Sequence, residues 1–445
     1  MGSHVVAERA EKTTWVLALT AAALGAGAFA RYPLGFAQDG LVFGVAYALG
    51  IAVLALPLLL GEAALGQFRR RNVADAFGPG PWRFAGFAFA VAAVILAGYL
   101  AVVAGWSARY AYASFRGGFF DDPERYFRLA SQGWDALLFA LGAMAVAVAV
   151  CWAGIGRGLR GAMTGAGAVA LFAVAAVAAW GLFVGGSDGR AAAFAFDAGA
   201  IDAPFIVTAL QQALLPGLVG FGVVATLSTR VHDRTLPKEA VTLAFAWVLV
   251  PVLAGAGLAA LAHDEGVTLE GGIQAHFGSI AALFGTIGGT EGGMLAGTFF
   301  GILLAGCLAA MVALLQVPAA ILAQRSESWT ERRAFAASGI VAYLVAIPLA
   351  FVAGAAEELE FALFAILAPL AGIVVSLHVG WARPEVLDGF VVGDAKHKLD
   401  SALRPMLRFV VPALLLVLFV LGTFEILADW GAITRGTDGL WKLVP

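Results

Sequence analysis

Long apolar stretches recur along the whole chain, and each is about as long as a helix that crosses a lipid bilayer. We find eleven of them, at residues 15–37, 41–66, 85–114, 135–153, 162–185, 205–230, 238–263, 292–323, 333–353, 359–380 and 407–428. A spanning helix needs about 20 mostly apolar residues. Helices are expected because lipid offers no partner to an unpaired backbone group. The sequence therefore predicts an all-α polytopic membrane protein with about 11 transmembrane helices.

Composition excludes the main alternative classes. Of the 445 residues, 61% are hydrophobic and 13% are charged, whereas soluble domains have about 45–50% apolar and about 25% charged residues. A net charge of -3 argues against nucleic acid as a partner. The two cysteines, Cys151 and Cys307, lie inside apolar runs, so we interpret both as packed core residues. No metal-binding spacing and no catalytic motif is present in the sequence, so we predict neither a metal site nor an enzyme.

Basic residues predict the orientation of the chain. With the N-terminus placed inside, 19 of the 27 Lys and Arg residues fall in inner segments, as the positive-inside rule requires. We expect a cell-membrane protein with a cytoplasmic N-terminus, and the odd number of spans puts the C-terminus outside. Two outer connections are long, 186–204 and 264–291, and the apolar stretch from Ile280 to Phe284 predicts a short helix in the second.

Two of the predicted spans carry helix-breaking residues in the middle of the membrane. The first span has Gly25 and Gly27, and the sixth has Pro216, Gly217, Gly220 and Gly222. Glycine weakens a helix by ~1 kcal/mol and proline by ~3 kcal/mol. Interruptions at corresponding places in two inverted halves are the best pointer to a transporter's binding site. Close helix packing by small residues is the alternative.

The five-span spacing of the breaks sets the predicted domain organisation. Residues 1–14 form a cytoplasmic segment, 15–185 the first repeat and 205–380 the inverted second repeat. Residues 381–445 supply a cytoplasmic loop, the eleventh span and an outer tail. The fold class is thus a 5+5 inverted repeat with helices 1 and 6 broken.

Several motifs together resemble the neurotransmitter:sodium symporter family, including its bacterial leucine-transporter-like members. They are the first span through Arg31-Tyr32-Pro33 and Asp39-Gly40, the second-span ending Gly61-Glu62-Ala63-Ala64-Leu65-Gly66, Val102 to Trp106, Gly220-Phe221-Gly222, Ala305-Gly306 and Pro318. The resemblance implies a secondary transporter that works by alternating access. It places an outer gate at Arg31 and Glu360, flanked by Gln212 and Tyr32, and gives Glu62 the role of capping the broken sixth helix.

The resemblance also implies a central binding site between spans 1, 3, 6 and 8. The predicted lining is apolar and small, with backbone groups at the breaks as its polar contacts. Its residues are Ala23, Gly25, Ala26, Gly27, Leu96, Leu100, Leu215, Pro216, Gly217, Leu218, Phe221, Ala309 and Ala313. An amino acid or a similar small amphiphile would suit this lining. Leu100, with Tyr99 beside it, stands where the family has a substrate-contacting tyrosine.

Both sodium sites of the family have lost their side-chain oxygens. The positions that match the first site are Ala28, Pro216 and Val248, and those that match the second are Leu308 and Ala309. We therefore predict that neither standard sodium site is intact. Chloride binding is doubtful as well, because Val252 takes the place of the residue tied to chloride or proton handling. We expect no other cofactor.

Three functions remain open at this stage. The first is a transporter for an amino acid or similar solute that is sodium-independent, with Glu62, Glu239 and Glu360 as candidate proton carriers. The second is a sodium symporter with a rearranged ion site. The third is a non-transporting binding or assembly protein, because fold does not fix function. The expected partners are a small solute and the bilayer, and the oligomeric state is open.

Overall fold

The computed structural model describes residues 19–20, 28–116, 118–154, 161, 174–184, 186–214, 216–231, 236–269, 271–388, 390, 401–430, 433–435 and 441–443. Within this part, eight helices are long and apolar enough to cross a membrane. We label them with the shorter helices in chain order. The eight are α2 (Leu41–Arg69), α3 (Trp82–Ser114), α4 (Gly133–Trp152), α8 (Leu236–Asp264), α10 (Gly289–Arg325), α11 (Glu331–Phe351), α12 (Ala355–Ala382) and α13 (Ser401–Ala428).

Shorter helices complete the bundle. They are α1 (Ala28–Asp39), α5 (Val174–Val184), α6 (Ala203–Leu214), α7 (Val223–Ser228) and α9 (Ile273–Ile287). Connections contain the short helices Val73–Ala76, Pro123–Ser131 and Ser187–Ala193 and the tight turns Ala198–Ala200 and Pro384–Leu387. A small antiparallel hairpin, β1 (Ile433–Arg435) and β2 (Trp441–Leu443), follows α13.

The predicted spans match the described helices closely where both exist. The eighth predicted span, 292–323, is α10 at Gly289–Arg325, and the ninth, 333–353, is α11 at Glu331–Phe351. The short helix expected around Ile280 to Phe284 is α9. The chain is a multi-pass membrane protein, and eleven spans remains a prediction, because parts of the first and fifth spans lie outside the described residues.

The sixth predicted span is interrupted in the membrane, as its sequence indicates. Helix α6 ends at Leu214, a single tight turn covers Pro216–Leu218, and α7 begins only at Val223. Gly220 and Gly222 adopt left-handed backbone with φ of 89° and 75°, which costs glycine nothing but strains other residues. The corresponding break predicted in the first span, at residues 21–27, lies outside the described residues.

Close helix contacts hold this interrupted segment. A Cβ added to Gly66, near the end of α2, would overlap the backbone carbonyl of Ala225 on α7. A Cβ on Gly222 would lie 3.2 Å from Val317 of α10 and 3.2 Å from Val73. The second half of span six therefore packs closely against α2, α10 and the connection that follows α2.

Candidate functional site

Glu62 is the one acidic side chain of α2, and it is fully buried against the break in span six. Its Oε2 accepts a hydrogen bond from the backbone N–H of Gly220 at 2.8 Å, and its Oε1 accepts one from the N–H of Ala225 at 3.3 Å. A broken helix leaves such N–H groups without intrahelical partners. Glu62 accepts from two of them, at the position where the resemblance implies a cap for the broken sixth helix.

Backbone geometry between α6 and α7 departs from helix over several residues. Leu218 is a non-glycine residue with φ of 55°, a left-handed conformation that costs an L-residue about 1–2 kcal/mol. Its side chain is buried, with 1% of its surface exposed. Strain of this kind persists where surrounding packing overdetermines it, and it concentrates at binding sites. The surrounding packing therefore holds the non-helical segment in place, and this segment is a candidate part of a binding site.

A cavity of about 700 Å³ opens beside this break, on the side of the bundle predicted to be the outer one. Its walls come from the end of α1, the start of α2, four residues of α6, the start of α12 and the segment before α9. The lining residues are Leu34, Gly35, Gln38, Asp39, Phe43, Asp202, Pro204, Phe205, Thr208, Gln212, Gly271, Gly272, Gly354, Glu357, Glu358 and Phe361. We call this space the outer vestibule.

Gln212 connects the outer vestibule to the break. It lines the vestibule, it is 4% exposed, and it lies one turn before the tight turn that begins at Pro216. Its Oε1 atom is buried without a hydrogen-bond partner in the described part of the chain. A buried polar atom without a partner is costly, and a bound polar group would offset that cost. A polar group of a solute beside Gln212 would supply the missing hydrogen bond.

The lining of the outer vestibule is acidic. Asp39, Asp202, Glu357 and Glu358 all contribute to it, and no Lys or Arg is among its lining residues in the described part of the chain. Burial raises the pKa of Asp39, and the neighbouring carboxylate of Asp202 raises it further. Asp202 also accepts a hydrogen bond from the N–H of Phe205 at 2.8 Å, which caps the start of α6. A lining of this charge attracts cations and cationic groups.

Several predicted site residues cannot be placed. Leu215 lies outside the described residues, and so do Ala23, Gly25, Ala26 and Gly27 of the first span. Arg31 and Tyr32 lie in α1, whose backbone is described there while their side chains are outside the described part. These predicted roles stay predictions.

The remaining predicted lining residues are buried inside the bundle. Leu96 and Leu100 of α3 and Ala309 and Ala313 of α10 are between 0% and 3% exposed, and α3 packs along α10. Pro216, Gly217 and Leu218 form the tight turn of the break, and Phe221, which follows it, is 2% exposed. None of these residues lines the outer vestibule, so their contact with a solute stays a prediction.

The carboxylates proposed as gate or proton carriers occupy different surroundings. Glu360 is 3% exposed on α12, next to the vestibule residue Phe361. Glu239 is half-buried in the first turn of α8, as expected for a helix start. Glu62 accepts hydrogen bonds from two backbone N–H groups. The pairing of Glu360 with Arg31 is not tested, because the arginine side chain is not described.

Sequence reasoning missed most of the vestibule lining. In the sequence, Asp39 belongs to a motif of the family resemblance and Asp202 lies in the long connection 186–204, while Glu357, Glu358 and Thr208 belong to no motif. These residues come from segments far apart in the chain, so no local pattern links them.

The described helices form a multi-pass bundle in which the predicted sixth span is interrupted and Glu62 accepts hydrogen bonds from its backbone. A model of the "Sodium:neurotransmitter symporter family" matches residues 8–119. The chain is similar to an "Uncharacterized sodium-dependent transporter" of Haemophilus influenzae, with 24% identity over 334 residues that cover 69% of this chain and 71% of that protein. It also resembles the crystal structure of MhsT in complex with L-phenylalanine, with a TM-score of 0.79 and 23% identity over 92% of this chain and 97% of that one.

Residues 8–119 match the model of that family, and the chain shares its overall fold with the MhsT structure. That family and that fold belong to transporters rather than to enzymes. The match over residues 8–119 agrees with the family resemblance seen in the sequence.

Proposed function

We propose that this protein carries an amino acid or a similar small amphiphile across the cell membrane by alternating access. The observation that carries the proposal is the interrupted span six, whose backbone donates to Glu62. Nearby lies a vestibule lined in part by Gln212, whose buried Oε1 has no hydrogen-bond partner in the described part of the chain. Half-helix ends at such a break can receive a solute carboxylate. The MhsT structure holds L-phenylalanine, which supports an apolar amino acid as a solute.

We further propose that transport does not use the two sodium sites of the family. Pro216 and Val248 at the first site and Ala309 at the second bring no side-chain oxygen, and hard cations require oxygen ligands. Leu308, also matched to the second site, is half-buried and lines an apolar groove with Leu138 and Phe139 of α4. The description of the Haemophilus influenzae relative as sodium-dependent favours the alternative, a symporter with a rearranged ion site.

A ligand screen on the purified protein tests both ideas. We expect an apolar amino acid to raise the melting temperature equally in sodium chloride and in choline chloride. Sodium alone should have no effect beyond that of choline, because no cage of side-chain oxygens is predicted. A ligand-induced shift that appears only with sodium would favour the rearranged-site symporter. The absence of a shift for any amino acid or related amphiphile would contradict the proposed solute class.

We propose that the outer vestibule faces the outside of the cell, with the N-terminus in the cytoplasm. Thr208 is exposed in the vestibule, whereas Cys151 and Cys307 are 4% and 0% exposed. In intact cells, a membrane-impermeant maleimide should label the Thr208→Cys variant and leave the wild-type protein unlabelled. Bound solute should slow this labelling if the vestibule closes over it.

The matched control for the labelling experiment is Glu327→Cys. Glu327 is exposed in the connection between α10 and α11, which is predicted to lie inside. This variant should react only after the cells are permeabilised. Labelling of Glu327→Cys but not of Thr208→Cys in intact cells would reverse the proposed orientation.

A further inference from the structure

A second pocket, of about 420 Å³, lies where α2 ends and α3 begins, on the side predicted to be cytoplasmic. Its lining is Arg69, Arg71, Asp75, Gly78, Pro79 and Arg83, so basic side chains outnumber the single acidic one three to one. Neither the proposed transport path nor the family comparison assigns this pocket a role. We call it the arginine pocket.

A rigid connection shapes the arginine pocket. Asn72 caps the short helix Val73–Ala76 by accepting a hydrogen bond from the N–H of Asp75, and its Nδ2 donates to Oε1 of Gln324 on α10 at 2.8 Å. Phe77, which follows this helix, is 1% exposed. Gly78 and Gly80 then turn the chain with φ of 87° and 81°. These hydrogen bonds and the buried Phe77 hold the backbone around the pocket in place, so the pocket exists before a ligand binds.

The positive charges of this pocket are only partly compensated. Asp75 forms an ion pair with Arg83 at 2.9 Å and also accepts from Nδ2 of Asn72 at 3.0 Å. Within the described part of the chain, the guanidinium groups of Arg69 and Arg71 make no hydrogen bond and no ion pair. Gly78 leaves space beside Arg69, since an added Cβ would lie 3.3 Å from its Nη2. Arg69 and Arg71 thus line the pocket with guanidinium groups that have no hydrogen-bond or ion-pair partner among the described residues.

The surroundings of the arginine pocket are suited to a lipid. Phe68 and Phe84 directly precede and follow the pocket arginines Arg69 and Arg83 in the sequence, and they are 45% and 76% exposed. Exposed phenylalanines at the ends of two spanning helices lie where acyl chains meet headgroups. Arginine recognises phosphate through paired N–H donors, and basic pockets between spanning helices on the cytoplasmic side bind anionic headgroups.

We propose that the arginine pocket binds the phosphate group of an anionic phospholipid of the inner leaflet. Arg69 and Arg71 contact the phosphate, Arg83 stays paired with Asp75, and the acyl chains run past Phe68 and Phe84. A lipid held there links the end of α2 to the start of α3 and so stabilises the connection that packs against Gly222 of the broken span.

The test compares lipids on the purified full-length protein in a neutral detergent. Phosphatidylglycerol and cardiolipin should raise the melting temperature of the wild-type protein, while phosphatidylcholine should not. In the double variant Arg69→Gln/Arg71→Gln, the apparent affinity for the anionic lipids should fall about tenfold or more, because each basic residue near an anionic surface contributes about 1 kcal/mol. Native mass spectrometry should show the same loss as fewer retained anionic lipids.

Arg325→Gln/Arg332→Gln is the matched control, because it removes two exposed arginines from the same predicted side outside the pocket. It should keep the wild-type response. The single variant Arg71→Gln covers the case in which the double variant misfolds. Arg71 is exposed, so its replacement should leave the fold intact and still weaken the binding of anionic lipids. Equal responses in all variants would overturn the proposal. If inorganic phosphate raised the melting temperature of the wild-type protein as much as phosphatidylglycerol does, the pocket would be a site for a soluble anion. That result would overturn the proposal of a lipid ligand.

Discussion

Replacing Glu62 with alanine should destabilise the protein by about 2–6 kcal/mol, because it leaves two buried backbone N–H groups without an acceptor and each costs about 1–3 kcal/mol. Those groups are the N–H of Gly220, in the non-helical segment of span six, and the N–H of Ala225, in the first turn of α7. Solute binding should be lost with the geometry of that segment. The measurement is the melting temperature in detergent, with and without a solute found in the ligand screen.

Two controls separate this effect from a general loss of charge. Glu62→Gln keeps one oxygen that can accept from one of the two N–H groups, so its loss of stability should be intermediate. Glu291→Ala removes an exposed carboxylate from the first turn of α10 and should melt like the wild-type protein. If Glu62→Ala had the same melting temperature as the wild-type protein, the hydrogen bonds from Glu62 to the broken helix would not contribute to stability.

Gly66→Ala should be the second severe substitution, although it adds a single methyl group. The new Cβ would overlap the carbonyl of Ala225, and a backbone atom in a packed helix cannot move aside as a flexible side chain can. Overpacking of this kind costs about 1–3 kcal/mol and sometimes more. We expect a lower melting temperature and separation of α2 from α7, with a corresponding loss of solute binding.

Gly142→Ala is the matched control for Gly66→Ala. Gly142 lies in α4, and an added Cβ there would meet nothing within 4 Å. Alanine is the better helix former by about 1 kcal/mol, so this variant should be as stable as the wild-type protein or slightly more stable. Equal melting temperatures for the two variants would show that the contact between α2 and α7 is not close in solution.

The sequence predicted the helical framework well because span length and hydrophobicity are local properties. The bounds of α10 and α11 lie within a few residues of the predicted ones, and the short helix α9 follows from five apolar residues in an outer connection. The break in span six was predictable for the same reason, since Pro216 and the nearby glycines disfavour a helix wherever they occur.

The sites were less accessible to sequence reasoning because they depend on long-range contacts. The bond from Glu62 to Gly220 joins residues far apart in the chain, and only the family resemblance suggested it. The outer vestibule brings together Asp39, Asp202 and Glu357 from three separate segments. Burial, and after it the neighbouring carboxylate of Asp202, raises the pKa of Asp39, an effect that no local pattern could indicate.

Solute flux in proteoliposomes tests most directly whether the broken span serves transport. The purified wild-type protein is reconstituted, and a labelled solute identified in the ligand screen is added outside vesicles that contain the same unlabelled solute. We expect time-dependent uptake of the label by exchange, equally in choline and in sodium buffers, and none in protein-free vesicles. If the protein binds the solute but exchanges none of it in either buffer, the proposal of transport is wrong. The protein would then be a binding protein with the fold of a transporter.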